Sequence, residues 1–129
     1  MTAFRDARSD GSPRDLARLI AQIADNEHGS DVLVLAVGDV LQVTEYFVIV
    51  SASNRRLVRN LVEEIETQTR ALVGRSPLRR EGVREQQWVL VDYGDVIVHV
   101  FLAEVREYYE IERLYTDVAK VEWSDAASA

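Results

Sequence analysis

The chain has 129 residues, of which 47% are hydrophobic and 29% are charged, as is typical of one globular domain large enough to bury a core. It contains no cysteine, which excludes disulfides, Cys-based zinc sites and cysteine nucleophiles, and its net charge of −7 argues against general nucleic-acid binding. No apolar run is long enough to cross a membrane and the N-terminus lacks the apolar core of a secretory signal, so we expect a cytoplasmic protein.

The first predicted elements are a flexible tail over residues 1–11 and a helix that begins at Ser12 and Pro13. Serine is a good N-cap, proline suits the first helical turn, and Gly29 is a natural stop. Apolar side chains at helical spacing mark the buried face, formed by Leu16, Leu19, Ile20, Ile23 and Ala24.

Two continuous apolar runs, residues 31–37 and 46–50, are rich in β-branched side chains and predict buried strands. A long amphipathic helix follows, with Ser53 or Asn54 as its N-cap and Gly74 as its end. Its first turns carry three arginines that oppose the helix dipole. They are candidates for an anion contact, and solvated side chains are at least as good an interpretation. These arginines are Arg55, Arg56 and Arg59.

The second half of the chain predicts strands first and short helices afterwards. Residues 75–85 are polar and arginine-rich, and residues 77–81 are compatible with a short edge strand, where proline is tolerated. Residues 87–101 predict a β-hairpin around a Gly-Asp turn. Residues 102–115 predict one or two short acidic helices, and we expect residues 118–129 to be a disordered C-terminal tail.

This order of elements predicts one α/β domain over residues 12–117. Buried strands beside long helices favour a mixed sheet with helices packed on it. The hairpin requires at least one antiparallel pair of strands in that sheet.

Charge is distributed unevenly along the chain. Residues 55–84 hold eight Arg and four Glu, whereas residues 85–129 hold three basic and ten acidic residues. An acidic C-terminal third favours a basic partner through electrostatic steering. Solvated acidic helices explain the same composition, and composition alone favours that explanation.

The hairpin can be divided into two faces by counting outward from its turn. Glycine suits the first central position of a type II′ turn, which places Gly94 and Asp95 at the centre. Opposed residues share a face. The first face belongs under a helix and holds Val89, Val91, Val96, Val98 and Val100, with Tyr93 at its end. The second has the composition of a protein–protein hot spot and holds Trp88, Leu90, Asp92, Ile97, His99 and Phe101.

An acid pair near a histidine raises an enzymatic alternative, a nucleotidyltransferase-like or hydrolytic site with Asp92, Asp95 and His99. Two metal-binding acids must project to the same side, whereas these two are three residues apart across a turn, where aspartate is common. Neither His28 nor His99 has a second histidine at ligand spacing, and no Gly-x-Ser-x-Gly motif is present. We therefore predict no metal site, no cofactor and no enzymatic activity.

Two motifs occur together in a specific order and spacing. The first is WVLVDYGDVIVHVF over residues 88–101, continued by REYYEIERLY over residues 106–115, and the second is TEYFVIVSASNR over residues 44–55. With them, the chain resembles the ribosomal silencing factor family, also called RsfS or Iojap-like. The resemblance implies a nucleotidyltransferase-like architecture without established enzymatic activity.

The resemblance also implies a partner. It implies binding to the large ribosomal subunit through its ribosomal protein numbered fourteen, which blocks subunit joining and represses translation under nutrient limitation. Free members of the family are often homodimeric.

On this basis we predict a partner-binding face built on the hairpin and the Tyr/Glu-rich segment after it. The predicted apolar centre consists of Trp88, His99, Tyr109, Ile111 and Leu114, with Tyr115 as a C-terminal anchor. The predicted polar rim consists of Asp92, Tyr93, Glu107 and Glu112. The three arginines of the second helix are placed near ribosomal RNA. Two alternatives stay open: the enzyme described above, and a homodimeric scaffold whose aromatic face serves only self-association.

Overall fold

The computed structural model describes residues 12–124, so the tail expected over residues 1–11 lies outside the described part. Its helices are α1 (Pro13–Asn26), α2 (Gly38–Leu41), α3 (Arg55–Val73) and α4 (Ala103–Tyr109), and α4 is followed by a 3₁₀ segment (Ile111–Tyr115). Its strands are β1 (Ser30–Ala36), β2 (Tyr46–Ala52), β3 (Arg79–Glu81), β4 (Trp88–Asp92), β5 (Val96–Leu102) and β6 (Ala119–Lys120).

The strands form one six-stranded sheet in the order β3-β4-β5-β2-β1-β6. The central pair, β2 and β5, is parallel, and the other pairs are antiparallel. The prediction of an α/β fold with a mixed sheet is therefore confirmed. None of the helices within residues 12–124 is long and apolar enough to cross a membrane.

Both long helices begin at a predicted cap and α3 ends at the predicted glycine, whereas α1 ends at Asn26, and His28 rather than Gly29 takes the left-handed conformation after it. The Ser12 hydroxyl accepts a hydrogen bond from the Asp15 amide at 3.3 Å, just before Pro13 opens α1. Asn54 caps α3 by accepting from the Leu57 amide at 2.8 Å. Gly74, at φ +69°, ends α3 in the left-handed conformation that glycine adopts without strain.

The hairpin has the register that counting from its turn predicts. Trp88 pairs with Phe101, Leu90 with His99, and Asp92 with Ile97. The helices α1 and α3 pack with the valines of the hairpin in one apolar cluster. We call this side of the sheet the valine face. The opposite side, which α4 and the 3₁₀ segment cover only in part, is called the aromatic face.

The prediction of a disordered tail over residues 118–129 is wrong for residues 118–124. Strand β6 pairs with β1, and Val121 is buried in the cluster on the valine face. The Trp123 indole donates to the Val32 carbonyl at 3.2 Å, and the Gln22 amide donates to the Trp123 carbonyl at 2.8 Å. Val121 and Trp123 thus anchor this segment to the sheet. Residues 125–129 lie outside the described part.

Candidate functional site

Six aromatic rings form one cluster on the aromatic face, and a seventh, Tyr108, meets its member Tyr109 edge-on at 5.0 Å. Trp88 stacks on Phe101 with ring centroids 4.8 Å apart, and Tyr109 lies against its ring at 5.1 Å. The members of this aromatic cluster are Phe47, Trp88, His99, Phe101, Tyr109 and Tyr115. Because the rings fix one another, an exposed ring of the cluster is held in place before any partner arrives.

His99 is a buried member of this cluster that contacts the Trp88 indole. Its side chain is 6% exposed, and its Nδ1 atom accepts a hydrogen bond from the Trp88 indole at 3.1 Å. Burial lowers the pKa of His99 from 6.5 to about 4, so the ring is neutral near pH 7. Among the residues described, nothing hydrogen-bonds to its Nε2 atom, which carries the proton in this tautomer.

The predicted apolar centre therefore divides into a buried and an exposed part. His99 and Ile111 are buried, so their predicted place at the contact surface is corrected to a place beneath it. Tyr109 is 55% exposed and Leu114 75% exposed. Trp88 is half-buried, intermediate between the buried and the exposed residues of the predicted centre. The alternation of side chains along a strand predicts on which side of the sheet each one lies, but it does not predict which helix or loop covers that side.

Tyr115, the predicted anchor, is half-buried and meets Phe47 edge-on at 5.3 Å. Phe47 belongs to the buried cluster of the aromatic face together with Phe101. The sequence analysis did not select Phe47 as a site residue. Its place on β2, two residues before Ile49 in an alternating strand, is the signal that indicates this face.

The prediction that Tyr93 lies on the polar rim is wrong. Tyr93 is 2% exposed and lies on the valine face, where its hydroxyl is 2.8 Å from the Thr69 hydroxyl. Burial raises the pKa of Tyr93 to about 12, so the phenol stays neutral. A side chain on the helix-covered side of the sheet cannot contact a partner on the aromatic face.

The predicted acidic rim residues also have different surroundings. Asp92 pairs with Arg79 at 3.0 Å and accepts from the Gly94 amide at 2.7 Å, which fixes the hairpin turn. Glu112 pairs with Arg106 at 3.1 Å. Glu107 is exposed on α4. The rim beside Tyr109 is therefore formed by α4 and the 3₁₀ segment, whereas Asp92 lies at the other end of the hairpin.

The residues of the enzymatic alternative do not converge. Asp95 pairs with Arg75 at 2.9 Å, Asp92 pairs with Arg79, and His99 is engaged by Trp88. Within residues 12–124, no three His, Cys, Asp or Glu side chains are grouped so that they could hold a metal ion. Each candidate catalytic group thus has a structural contact that accounts for it.

The three arginines at the start of α3 are exposed. No acidic residue lies in the first turn of α3 to offset their charge. A shallow groove there is lined by Asn54, Leu57, Asn60 and Glu63 together with two of the three, Arg56 and Arg59. Arg55 is exposed beside them.

The chain is similar to a known protein family over nearly its whole length. A family model described as "Ribosomal silencing factor during starvation" matches residues 10–129. A ribosomal silencing factor of Bacillus subtilis is 34% identical over 104 residues, which cover 81% of this chain and 87% of that protein. A mouse protein named "Mitochondrial assembly of ribosomal large subunit protein 1" is 32% identical over 108 residues, covering 82% of this chain and 47% of that protein. A crystal structure of a Chromobacterium violaceum protein has a TM-score of 0.77 at 26% identity and covers 88% of this chain and 97% of that chain.

Proposed function

The chain belongs to the ribosomal silencing factor family, and from this premise we propose that it binds the large ribosomal subunit and represses translation when nutrients are scarce. It is a regulatory protein and not an enzyme, as the sequence predicts. The proposed partner is the large-subunit ribosomal protein numbered fourteen, and the proposed consequence is that the small subunit cannot join. We place this activity in the cytoplasm.

The observation that carries the proposal is the aromatic cluster with its exposed edge. Tyr109 projects into solvent beside Trp88, and Leu114 is exposed on the 3₁₀ segment that follows. Large apolar side chains in solvent are typical of a protein interaction site when they are grouped. Aromatic residues dominate the energetic centres of protein interfaces. Because Tyr109 rests on Trp88, little conformational freedom is lost when a partner covers both rings.

Charge supports a basic partner at this site. Residues 103–117 hold five acidic and two basic residues. Both basic residues are neutralised locally, since Arg106 pairs with Glu112 and Arg113 pairs with Glu110. The remaining exposed carboxylates, including Glu107, would steer a basic ribosomal protein toward the aromatic cluster.

The test is co-sedimentation of the protein with purified large subunits. We expect the wild type to pellet with the subunits, and we expect Tyr109→Ala to bind more than tenfold more weakly, since loss of a central aromatic costs about 2–4 kcal/mol. Leu78→Ala is the matched control, because Leu78 is 70% exposed but lies against the hairpin turn at Gly94. A wild-type protein that stays in the supernatant would refute the assignment.

Self-association through the same face is the second candidate, and the exposure of Tyr108, Tyr109 and Leu114 favours it. In that case Trp88→Ala would convert a homodimer into a monomer. Analytical ultracentrifugation of the two proteins, beside the subunit-binding assay, separates the candidates. If the monomeric variant binds large subunits as well as the wild type does, the aromatic face serves only self-association.

We also propose that Arg55, Arg56 and Arg59 make a peripheral contact with ribosomal RNA. Each phosphate that an arginine neutralises releases a counterion, so such a contact makes binding depend on salt. Replacing Arg56 and Arg59 by glutamine should flatten the dependence of subunit binding on salt concentration. An unchanged salt dependence would leave these side chains as solvated charges.

A further inference from the structure

A buried arginine ties the segment that carries Tyr109 to two strands of the sheet. Arg106 lies on α4 and is 9% exposed. Its Nη1 atom donates to the Asp31 carbonyl at 2.7 Å and to the Ser51 hydroxyl at 2.9 Å, and its Nε atom donates to Glu112 at 3.1 Å. One guanidinium thereby joins α4 to β1, to β2 and to the 3₁₀ segment.

The backbone of β1 is shaped to accept this contact. The register between β1 and β2 shifts between Ser30 and Leu33, which leaves Asp31 outside the paired positions. Asp31 has a φ of +50°, in the left-handed region that residues other than glycine rarely adopt. A bulge of this kind leaves the Asp31 carbonyl outside the regular β1–β2 hydrogen-bond ladder, and Arg106 supplies a hydrogen-bond donor to that carbonyl.

The segment after β5 needs such an attachment because its local structure is weak. Helix α4 has only seven residues, and no side chain caps its N-terminus. A helix this short is not stable in isolation. Glu110, which joins α4 to the 3₁₀ segment, has a φ of +47°, again in the left-handed region. The placement of Tyr109 is therefore decided by contacts with the rest of the fold.

We propose that Arg106 is a positioning residue for partner binding, which holds α4 and the 3₁₀ segment on the sheet so that Tyr109 rests against Trp88. This inference rests on the proposed function, since it concerns the affinity of the same face. The three acceptors lie on separate elements, and the forked guanidinium can reach them together. The single ammonium of a lysine provides no such fork.

Two measurements on the full-length protein test the inference together. Amide hydrogen exchange reports whether residues 103–115 open locally, and co-sedimentation reports binding to large subunits. We expect Arg106→Gln to raise exchange in residues 103–115 by about tenfold or more while β2 and β5 stay protected, and to weaken subunit binding by about tenfold. Arg106→Lys should restore little of the exchange protection or of the subunit binding, because lysine keeps the positive charge but lacks the forked guanidinium.

Arg113→Gln is the matched control. It removes the same charge from the same segment, but Arg113 is 75% exposed in its side chain, and within residues 12–124 its ion pair is with Glu110. We expect it to leave exchange and subunit binding within about twofold of the wild type. Ser51→Ala is a milder variant, which removes one acceptor of Arg106 on β2 and should shift both readouts in the same direction by a smaller amount.

The outcomes separate this inference from the proposed function. If the wild type binds subunits and Arg106→Gln binds equally well, Arg106 does not position the face. If Arg106→Gln and Ser51→Ala lose protection throughout the sheet, Arg106 stabilises the whole fold and the inference is wrong. If the wild type itself does not bind, the proposed function is wrong, and the inference falls with it.

Discussion

At the scale of single residues, the depth of a side chain decides its role more than its chemistry does. His99 and Trp88 share a face, as counting along the hairpin predicts, yet only Trp88 reaches the surface. Tyr93 is an aromatic residue with a polar tip, as is Tyr109, but the two lie on opposite sides of the sheet. The alternation of residues along a strand predicts the side of the sheet on which a side chain lies, whereas the helix that covers that side comes from another part of the chain.

The neutral state of His99 gives stability a dependence on acid pH. Because burial lowers its pKa from 6.5 to about 4, the unfolded chain binds a proton below pH 6.5 that the folded ring resists. At pH 7 His99 is neutral in both the folded and the unfolded chain, so it does not destabilise the fold. As the pH falls from 6.5 toward about 4, the free energy of unfolding falls as well. By linkage, we expect a loss of about 2–3 kcal/mol from this group near pH 4.5.

Urea unfolding of the wild type and of His99→Asn at several pH values measures this loss. The variant should be less stable near pH 7, and its stability should fall less steeply on acidification. His28→Asn is the control, since His28 is exposed. Parallel curves for the wild type and His99→Asn would contradict the assignment of a buried neutral imidazole.

Tyr93→Phe should lower stability without affecting partner binding. The change removes the hydroxyl that contacts Thr69, while the Thr69 hydroxyl keeps its bond to the Ile65 carbonyl at 2.8 Å. We expect a cost of about 1 kcal/mol in urea unfolding. Co-sedimentation with large subunits should match the wild type, in contrast to Tyr109→Ala. Weaker binding by a folded Tyr93→Phe protein would restore Tyr93 to the contact surface.

At the scale of elements, local signals in the sequence predict the helices and the hairpin well. The cap at Ser12, the stop at Gly74 and the Gly94 turn each depend on a few neighbouring residues, and all occur as predicted. The parallel pairing of β2 with β5 and the pairing of β6 with β1 join distant parts of the chain. Such pairings depend on tertiary packing, which no short pattern in the sequence specifies.

The C-terminal strand should contribute measurable stability. Deleting residues 118–129 removes the buried Val121 and the Trp123 contact with β1, and it leaves the edge of β1 unpaired. We expect a loss of about 2–4 kcal/mol in urea unfolding and more aggregation on standing. Light scattering measures the latter.

A shorter deletion, of residues 125–129, is the control for this experiment. It keeps β6 and Trp123 and should leave the urea midpoint and the scattering close to those of the full-length protein. Equal stability of the two truncated proteins would show that the β6 contacts are energetically neutral.

At the scale of the whole molecule, charge separates two regions of the surface. The arginine-rich residues 55–84 form α3 and the β3 edge, whereas the acidic residues 103–117 flank the aromatic cluster. The net charge of −7 alone does not reveal this separation. The composition predicts the acidic segment, but the fold places it beside Trp88.

Steering by the acidic segment should appear in the association rate. We expect Glu107→Lys to slow association with large subunits by several-fold at low salt, and we expect high salt to reduce the difference, because screening weakens steering between exposed charges. Stopped-flow kinetics with labelled subunits measures the rate. Asp25→Lys, an exposed charge reversal on α1, should leave it nearly unchanged. Equal slowing by both variants would indicate an effect of net charge alone.

The contact between Trp88 and Tyr109 gives the molecule an optical reporter of its own candidate face. The chain has two tryptophans, and Trp123 lies at the opposite edge of the sheet, on the C-terminal segment beside β1. In a Trp123→Phe protein, all tryptophan emission would therefore come from the indole that the aromatic cluster holds. The emission of that indole depends on its exposure to water, so covering the aromatic face would change it without any attached label.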